Sequence, residues 1–100
     1  MRALLVLNYD VLDAERLDSY RVAASDAILG DDGRLLASTQ ETVALPEGTE
    51  TGNRTVVIEY PSRAAAEARY GSAAYQALLP ERLAATVPRA AFIVELGPPG

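Results

Sequence analysis

The chain has 100 residues, of which 49% are hydrophobic and 23% charged, a composition that predicts one globular domain. Its formal net charge of −5 makes nucleic acid and anionic membranes poor partners, because both are themselves negatively charged. Because cysteine and histidine are absent, this chain alone cannot build a disulfide, a Ser-His-Asp triad or an ordinary zinc site, and we predict no metal and no cofactor.

The first half of the chain predicts a strand, a helix and a second strand. Residues 3–9 form an apolar run of strand length, too short for a signal peptide core or a membrane span, which favours a cytoplasmic protein. Apolar side chains then recur every three or four residues over 13–28, which predicts an amphipathic helix that begins at an aspartate and ends before Gly30. Residues 34–43 predict a strand whose mixed polarity is typical of a sheet edge or a wet cavity. The helix face predicted to be buried carries Leu17, Tyr20, Ala24 and Ile28.

The second half predicts a strand, a broken helical segment and a last strand. Residues 54–60 are rich in β-branched residues and predict a strand. Ser62 predicts the start of an alanine-rich helix that runs to about residue 70. A second helical piece follows over 72–79, and a third restarts at Pro80, since proline is tolerated in a first turn. Residues 90–96 predict the final strand.

The βαββαβ order of these elements predicts an α+β, ferredoxin-like domain with a four-stranded antiparallel sheet and helices on one face. The other face would carry apolar side chains such as Val6 and Val57, and a second copy of the chain is the simplest cover for them. We therefore predict one domain over residues 1–97, a short tail over 98–100, and a homodimer whose sheets face each other.

A sequence pattern in the second half supports this fold by resemblance. The pattern consists of Glu59-Tyr60-Pro61-Ser62, Ala66, Tyr70, Ser72, Tyr75-Gln76, Arg82 and the strand residues 92–95. It resembles domain-of-unknown-function family 1330, a member of the dimeric α/β-barrel superfamily. The first half matches this family more loosely. Because the family has no established common activity, the resemblance implies a fold and a dimer rather than a reaction.

Two carboxylates and an amide are candidate site residues at the ends of strands. Asn8 and Glu59 occupy equivalent positions in two similar segments, each an apolar run followed by a polar residue and tyrosine. On adjacent parallel strands both side chains would point to one face, at the mouth of a barrel, where a desolvated Glu59 could act as a general base. Alternatively, Glu59 pairs with an arginine or caps a loop. Glu95 ends the last strand in the same way, and two paired carboxylates could perform acid–base chemistry.

Tyr75 and Arg82 are candidate ligand-binding residues, because phenol and guanidinium donors converge well on a carboxylate or phenolate. Alternatively, Tyr75 packs at the sheet edge and Arg82 holds the helical segment through backbone carbonyl groups. The other aromatic residues are predicted as core or dimer contacts: Tyr9, Tyr20, Tyr60, Tyr70 and Phe92.

These predictions together favour a small cofactor-free protein that acts on or binds a hydrophobic, oxygenated small molecule. Because related dimeric α/β barrels carry out such chemistry in the barrel cavity, one hypothesis is a biosynthetic cyclase, isomerase or monooxygenase. The alternative is a non-catalytic ligand-binding or accessory protein. In either case we expect an apolar pocket between the sheet and the helical segment after residue 60, or between the sheet and the partner chain. Its polar groups would be Asn8, Glu59, Tyr75 and Arg82.

Overall fold

The computed structural model describes residues 1–97, which form a four-stranded antiparallel sheet with helices packed against one face. The elements are β1 (Ala3–Val11), α1 (Ala14–Leu29), β2 (Arg34–Thr39), β3 (Arg54–Tyr60), α2 (Arg63–Tyr70), α3 (Ala73–Gln76), α4 (Leu79–Ala85) and β4 (Thr86–Glu95). The strands lie in the order β2-β3-β1-β4, so β3 and β1 are central. The predicted α+β class is confirmed, and the sheet is open rather than closed into a barrel. The predicted tail over residues 98–100 lies outside the described residues.

The first helix forms as its sequence pattern predicts. The Asp13 carboxylate accepts a hydrogen bond from the backbone N–H of Arg16 at 3.1 Å, which caps the first turn. The helix ends at Gly30, whose φ of 54° lies in the region that favours glycine, and whose N–H donates to the carbonyl oxygen of Asp26. All four predicted apolar positions are buried: Leu17, Tyr20, Ala24 and Ile28.

Two strands have different ends from those predicted. The second strand was expected to reach residue 43 but ends at Thr39, which already lies opposite Thr55 near the start of β3, so later residues have no strand to pair with. The last strand was expected to begin at residue 90 but begins at Thr86, because β1 extends to Val11 and pairs with it there. A bulge accommodates Pro88 within this additional pairing, as proline requires in a sheet.

The two faces of the sheet differ in their cover. On the helix side, Leu5, Leu7 and Ile58 are buried beneath the helices. On the other side, Val6 lies opposite Val57 on one neighbouring strand and Phe92 on the other, and no helix within residues 1–97 covers this apolar row. We call this second side the open face. No helix within residues 1–97 combines the length and apolar character needed to cross a lipid bilayer.

Candidate ligand-binding cavity

A cavity of about 420 Å³ lies between α1 and the helix side of the sheet, and we call it the α1 cavity. Its volume falls within the range of roughly 300–1,000 Å³ that is usual for small-molecule sites. Most of its lining is apolar and is contributed by β1, β2, β3 and α1: Leu7, Leu35, Val56, Ile58, Val22, Ala24, Ile28 and Leu29. This cavity lies mainly under α1, and Tyr75 is its lining residue from the helical segment that follows β3. The ligand pocket expected between the sheet and that segment, or between the sheet and a partner chain, stays a prediction.

The cavity exists because the helix layer stops short of the edge strand. Leu35 of β2 lies opposite Ile58 on the helix side of the sheet, yet 49% of its surface remains exposed. The residues of α1 that face this region include Ala24 and Ser25, whose side chains are too small to fill the space. An apolar floor with incomplete cover leaves room for an apolar ligand.

Two tyrosine hydroxyls form a buried pair at this cavity. Tyr20 of α1 and Tyr75 of α3 both line it, and their hydroxyl oxygens lie 2.6 Å apart. Burial is the largest cause that raises the pKa of each hydroxyl, so both groups are neutral near pH 7. One hydroxyl donates to the other, which leaves the accepting hydroxyl with its own proton free for a further acceptor. The pair can thus donate one hydrogen bond to a ligand oxygen.

Arg82 of α4 adds positive charge close to this hydroxyl pair. Its side chain is only 5% exposed, and its Nη1 atom has no hydrogen-bond partner within residues 1–97. The positive charge of Arg82 favours the ionised form of both tyrosines and so partly offsets the rise in pKa that burial causes in Tyr20 and Tyr75. Negative charge that develops on an oxygen bound to the pair would therefore be stabilised by this guanidinium.

A second cavity, of about 10 Å³, lies beside the bulge between β1 and β4 and has room for about one water molecule. Arg82 and Asn8 line this small cavity, while Tyr9 lines both it and the α1 cavity. Of the four predicted site residues, the structure thus brings Tyr75 to the large cavity and Asn8 and Arg82 to the small one. Glu59 lines neither.

The side chain of Asn8 fastens the loop before β3 to β1. Its amide nitrogen donates to the carbonyl oxygens of Gly52 and Arg54 and to the hydroxyl of Thr55, at 3.1–3.2 Å. Its amide oxygen accepts the backbone N–H of Gly52 at 2.6 Å. The amide nitrogen and the amide oxygen of Asn8 are thus both occupied by hydrogen bonds within the chain, which gives this side chain a structural role. Its role in ligand binding stays a prediction.

Glu59 lies far from Asn8 because β1 and β3 run antiparallel, which makes the parallel arrangement assumed for these two residues wrong. Glu59 lies opposite Leu4, whereas Asn8 lies opposite Thr55. Four residues of strand separate them, or about 13 Å at ~3.3 Å per residue. The Glu59 carboxylate projects from the open face and pairs with Arg2 at 3.5 Å, as in the alternative interpretation of this residue.

Glu95 and Glu59 lie on opposite sides of the sheet. Glu95 is opposite Ala3, and Glu59 is opposite the next residue of β1, Leu4. Because successive side chains of a strand alternate between faces, these two carboxylates cannot form a catalytic pair within one chain. Glu95 instead lies 3.8 Å from Arg63. Within residues 1–97, no three histidine, cysteine, aspartate or glutamate side chains come together as metal ligands.

Sequence reasoning missed two polar residues near the α1 cavity. Tyr20 was predicted as a core or dimer contact, and its hydroxyl forms half of the buried pair. Arg54 is 6% exposed, donates from Nη2 to the Ser38 hydroxyl at 2.7 Å and leaves its Nε atom without a partner within residues 1–97. The sequence held one signal for the burial of Arg54: it occupies the same alternating positions of β3 as Val56 and Ile58, whose side chains point to the helix side of the sheet.

A four-stranded antiparallel sheet built in the order βαββαβ, with helices on one side, places the chain in the ferredoxin-like α+β class. An apolar cavity lies beneath its first helix. The chain belongs to the family described as domain of unknown function (DUF1330), whose model matches residues 2–96.

Three solved structures are similar to this chain in fold. The crystal structure of RPA0582, a protein of unknown function from Rhodopseudomonas palustris, is 17% identical with a TM-score of 0.71, over 98% of this chain and 84% of that one. The methylated RPA0582 protein is 18% identical with a TM-score of 0.68, over 99% and 82%. The protein YJCS is 5% identical with a TM-score of 0.53, over 97% and 100%. No curated protein matches the chain.

Proposed function

We propose that the protein binds a hydrophobic, oxygenated small molecule in the α1 cavity. The observation that carries this proposal is the buried hydroxyl pair of Tyr20 and Tyr75 in the wall of a mainly apolar cavity of about 420 Å³. Apolar walls favour the carbon body of a ligand, while a few fixed donors select its oxygen atoms. A carbonyl or phenol oxygen of the ligand, placed at the pair, would accept a hydrogen bond from the one hydroxyl group whose proton is free.

A second candidate function is proton-transfer catalysis of the isomerase or cyclase kind in the same cavity. Asp18 lines the cavity and supplies a carboxylate that could remove a proton from carbon, while the tyrosine pair donates to the oxygen of the resulting enolate. The nearby charge of Arg82 favours that negative oxygen. Glu59 lies on the open face, so a role for it as general base would require a site completed there by a second copy of the chain.

We also propose that the chain forms a homodimer through the open face. Phe92 is 49% exposed there and lies in one row with Val6 and Val57, so the single chain leaves a continuous apolar surface in water. Monomeric proteins rarely tolerate a large patch of this kind. The interface would be isologous, with the same row of side chains contributed by each copy.

The binding proposal is tested with a neutral aromatic ketone, 2-acetylnaphthalene, and a pair of α1 variants. Ser25→Phe inserts a ring into the cavity lining, whereas Ala23→Phe adds the same ring at an exposed position that does not line it. We expect calorimetric titration to show binding that Ser25→Phe weakens by about ten-fold or more and Ala23→Phe leaves within about two-fold. Equal effects of the two variants, or no binding by the wild type, would contradict the proposal.

A further inference from the structure

Two arginines are buried without an acidic partner in the part of the chain that the structure describes. Six of the nine arginines form ion pairs with carboxylates at the protein surface. Arg54 and Arg82 are 6% and 5% exposed, form no ion pair within residues 1–97, and each leaves one N–H group without a hydrogen-bond partner. This distribution is the reverse of the usual one, since buried charges in proteins are normally paired. A counter-charge supplied from outside the chain would complete both groups.

Both arginines lie toward the Tyr9 end of the α1 cavity. Arg54 lies opposite Tyr9 in the pairing of the two central strands, and its side chain donates to the Ser38 hydroxyl. Tyr9 and Ser38 both line the cavity. Arg82 shares the small cavity with Tyr9 and acts electrostatically on the hydroxyls of Tyr20 and Tyr75. Two guanidinium groups therefore lie near this end of the α1 cavity, although neither arginine lines it.

The opposite end of the cavity is apolar. Ile58 lies opposite Leu5, four residues along β1 from Tyr9, and its other neighbour is Leu35 of β2. Ile58, Leu35 and Ile28 of α1 all line the cavity. Two charged residues of α1 line the cavity, Asp18 and Arg21. Both are exposed and pair with each other at 3.3 Å, so their charges offset one another. The cavity thus has a direction, from a positively charged end to an apolar end.

We propose that the ligand of the α1 cavity is an organic carboxylate with an apolar body. Its carboxylate lies at the Tyr9 end, where Ser38, Tyr20 and Tyr75 line the cavity and Arg54 is hydrogen-bonded to Ser38. Its body lies against the apolar residues Ile28, Leu35 and Ile58. This inference rests on the proposed function and adds the charge and the orientation of the ligand. Arg54 is the residue that selects the charge, because its buried guanidinium beside Ser38 has no counter-charge within residues 1–97 and therefore favours a negatively charged group at this end of the cavity.

The test compares two probes of nearly the same shape, 2-naphthoate and neutral 2-acetylnaphthalene, by calorimetric titration near pH 8. We expect the wild type to bind the carboxylate about ten-fold or more tightly than the ketone. Arg54→Met removes the charge and should abolish this preference, so that the two probes bind with similar affinity. Arg34→Met is the matched control, since it removes the same charge from an exposed arginine on the neighbouring strand.

A second variant keeps the proposal testable if Arg54→Met does not fold. Ser38→Asp places a carboxylate beside Arg54, which makes the counter-charge part of the chain. We expect this variant to lose the preference for 2-naphthoate and to melt at a higher temperature than the wild type. The proposal is overturned if Ser38→Asp retains the preference, or if Arg34→Met reduces it as much as Arg54→Met does.

The two levels of inference fail in different ways. If the wild type binds both probes equally and Ser25→Phe blocks them, the cavity is a binding site but the assigned charge is wrong. If neither probe binds, the proposed function and this inference fail together.

Discussion

At the scale of single residues, the hydroxyl pair of Tyr20 and Tyr75 is the feature that links packing to chemistry. It joins α1 to α3 by a hydrogen bond between two buried side chains that are 55 positions apart in sequence. Each hydroxyl is the other's partner within residues 1–97, so removal of either one leaves a buried polar group unpaired.

We expect Tyr75→Phe to lower the free energy of unfolding by about 1–3 kcal/mol, because the Tyr20 hydroxyl loses its partner. Tyr20→Phe should cost a similar amount for the same reason. The double variant should lose less than the sum of the two, since no unpaired hydroxyl then remains. Urea denaturation measures all three free energies, and strictly additive losses would show that the pair contributes no coupling energy.

Alkaline pH should destabilise the fold through three tyrosines. Burial raises the pKa of Tyr60 to about 12, and it also raises the pKa of Tyr20 and Tyr75. A tyrosine in the unfolded chain ionises near pH 10, so the unfolded state releases its protons first. The stability that these groups contribute is therefore fully present below about pH 10 and is lost as the pH rises toward about 12.

The measurement for this pH dependence is the free energy of unfolding from about pH 8 to pH 11.5, in the wild type and in Tyr60→Phe. The variant should lose less stability across this range, although it begins lower because the Tyr60 hydroxyl donates to the carbonyl oxygen of Ile28. A wild-type stability that stays constant above pH 10 would contradict the expected burial of these groups.

The residue scale also shows where sequence reasoning ends. The spacing of apolar residues was sufficient to predict that Tyr20 is buried, because helical periodicity is local information. Its partner could not be predicted, since α3 reaches α1 only through the tertiary arrangement. Arg54 illustrates the same limit, because its burial depends on the position of Ser38 on another strand.

At the scale of elements, the start of β3 is held in place by close backbone contact with β1. Gly52 is buried, and both its N–H and its carbonyl oxygen bond to the side chain of Asn8. A Cβ atom at Gly52 would lie only 2.4 Å from the carbonyl carbon of Tyr9. The long polar segment between β2 and β3 therefore ends in a tightly docked turn.

We expect Gly52→Ala to lower the free energy of unfolding by about 1–3 kcal/mol, because the added methyl group would overlap the backbone of β1. Gly97→Ala is the control: a Cβ atom there meets nothing within 4 Å, so its effect should stay within about 0.5 kcal/mol. Thermal or urea unfolding of the two variants distinguishes them. Equal stability of both would mean that the turn can move away from β1 at little cost.

The ends of elements were harder to predict than their existence. The third strand was predicted with its observed bounds, because its β-branched run is bordered by a polar loop and Pro61. The ends of β2 and β4 depend instead on how far their neighbours extend. A strand's length is a property of the pair of strands, and one segment of sequence does not contain that information.

At the scale of the whole molecule, the order of elements was sufficient to predict an α+β fold with helices on one face, but not the relation between distant residues. Asn8 and Glu59 have similar local sequences, and the antiparallel pairing still separates them by four positions of the strand. Local similarity therefore predicted the type of element and not the side chains that it brings together.

The proposed dimer is tested by a charge placed at the centre of the open face. Phe92→Glu should give a monomer in light scattering at micromolar concentration, because two copies of the acid would be buried in the interface. Leu83→Glu is the control, since Leu83 is similarly exposed, at 46% against 49%, but belongs to α4. A wild-type protein that is already monomeric would contradict the dimer.

The position of the α1 cavity on the helix side of the sheet has a consequence for the stoichiometry of binding. The open face, through which two copies would join, is on the other side of the sheet, so pairing neither closes a cavity nor connects it to its counterpart. Each dimer would then hold two ligands in independent sites. Titration should accordingly give a hyperbolic isotherm with one ligand per chain and no cooperativity.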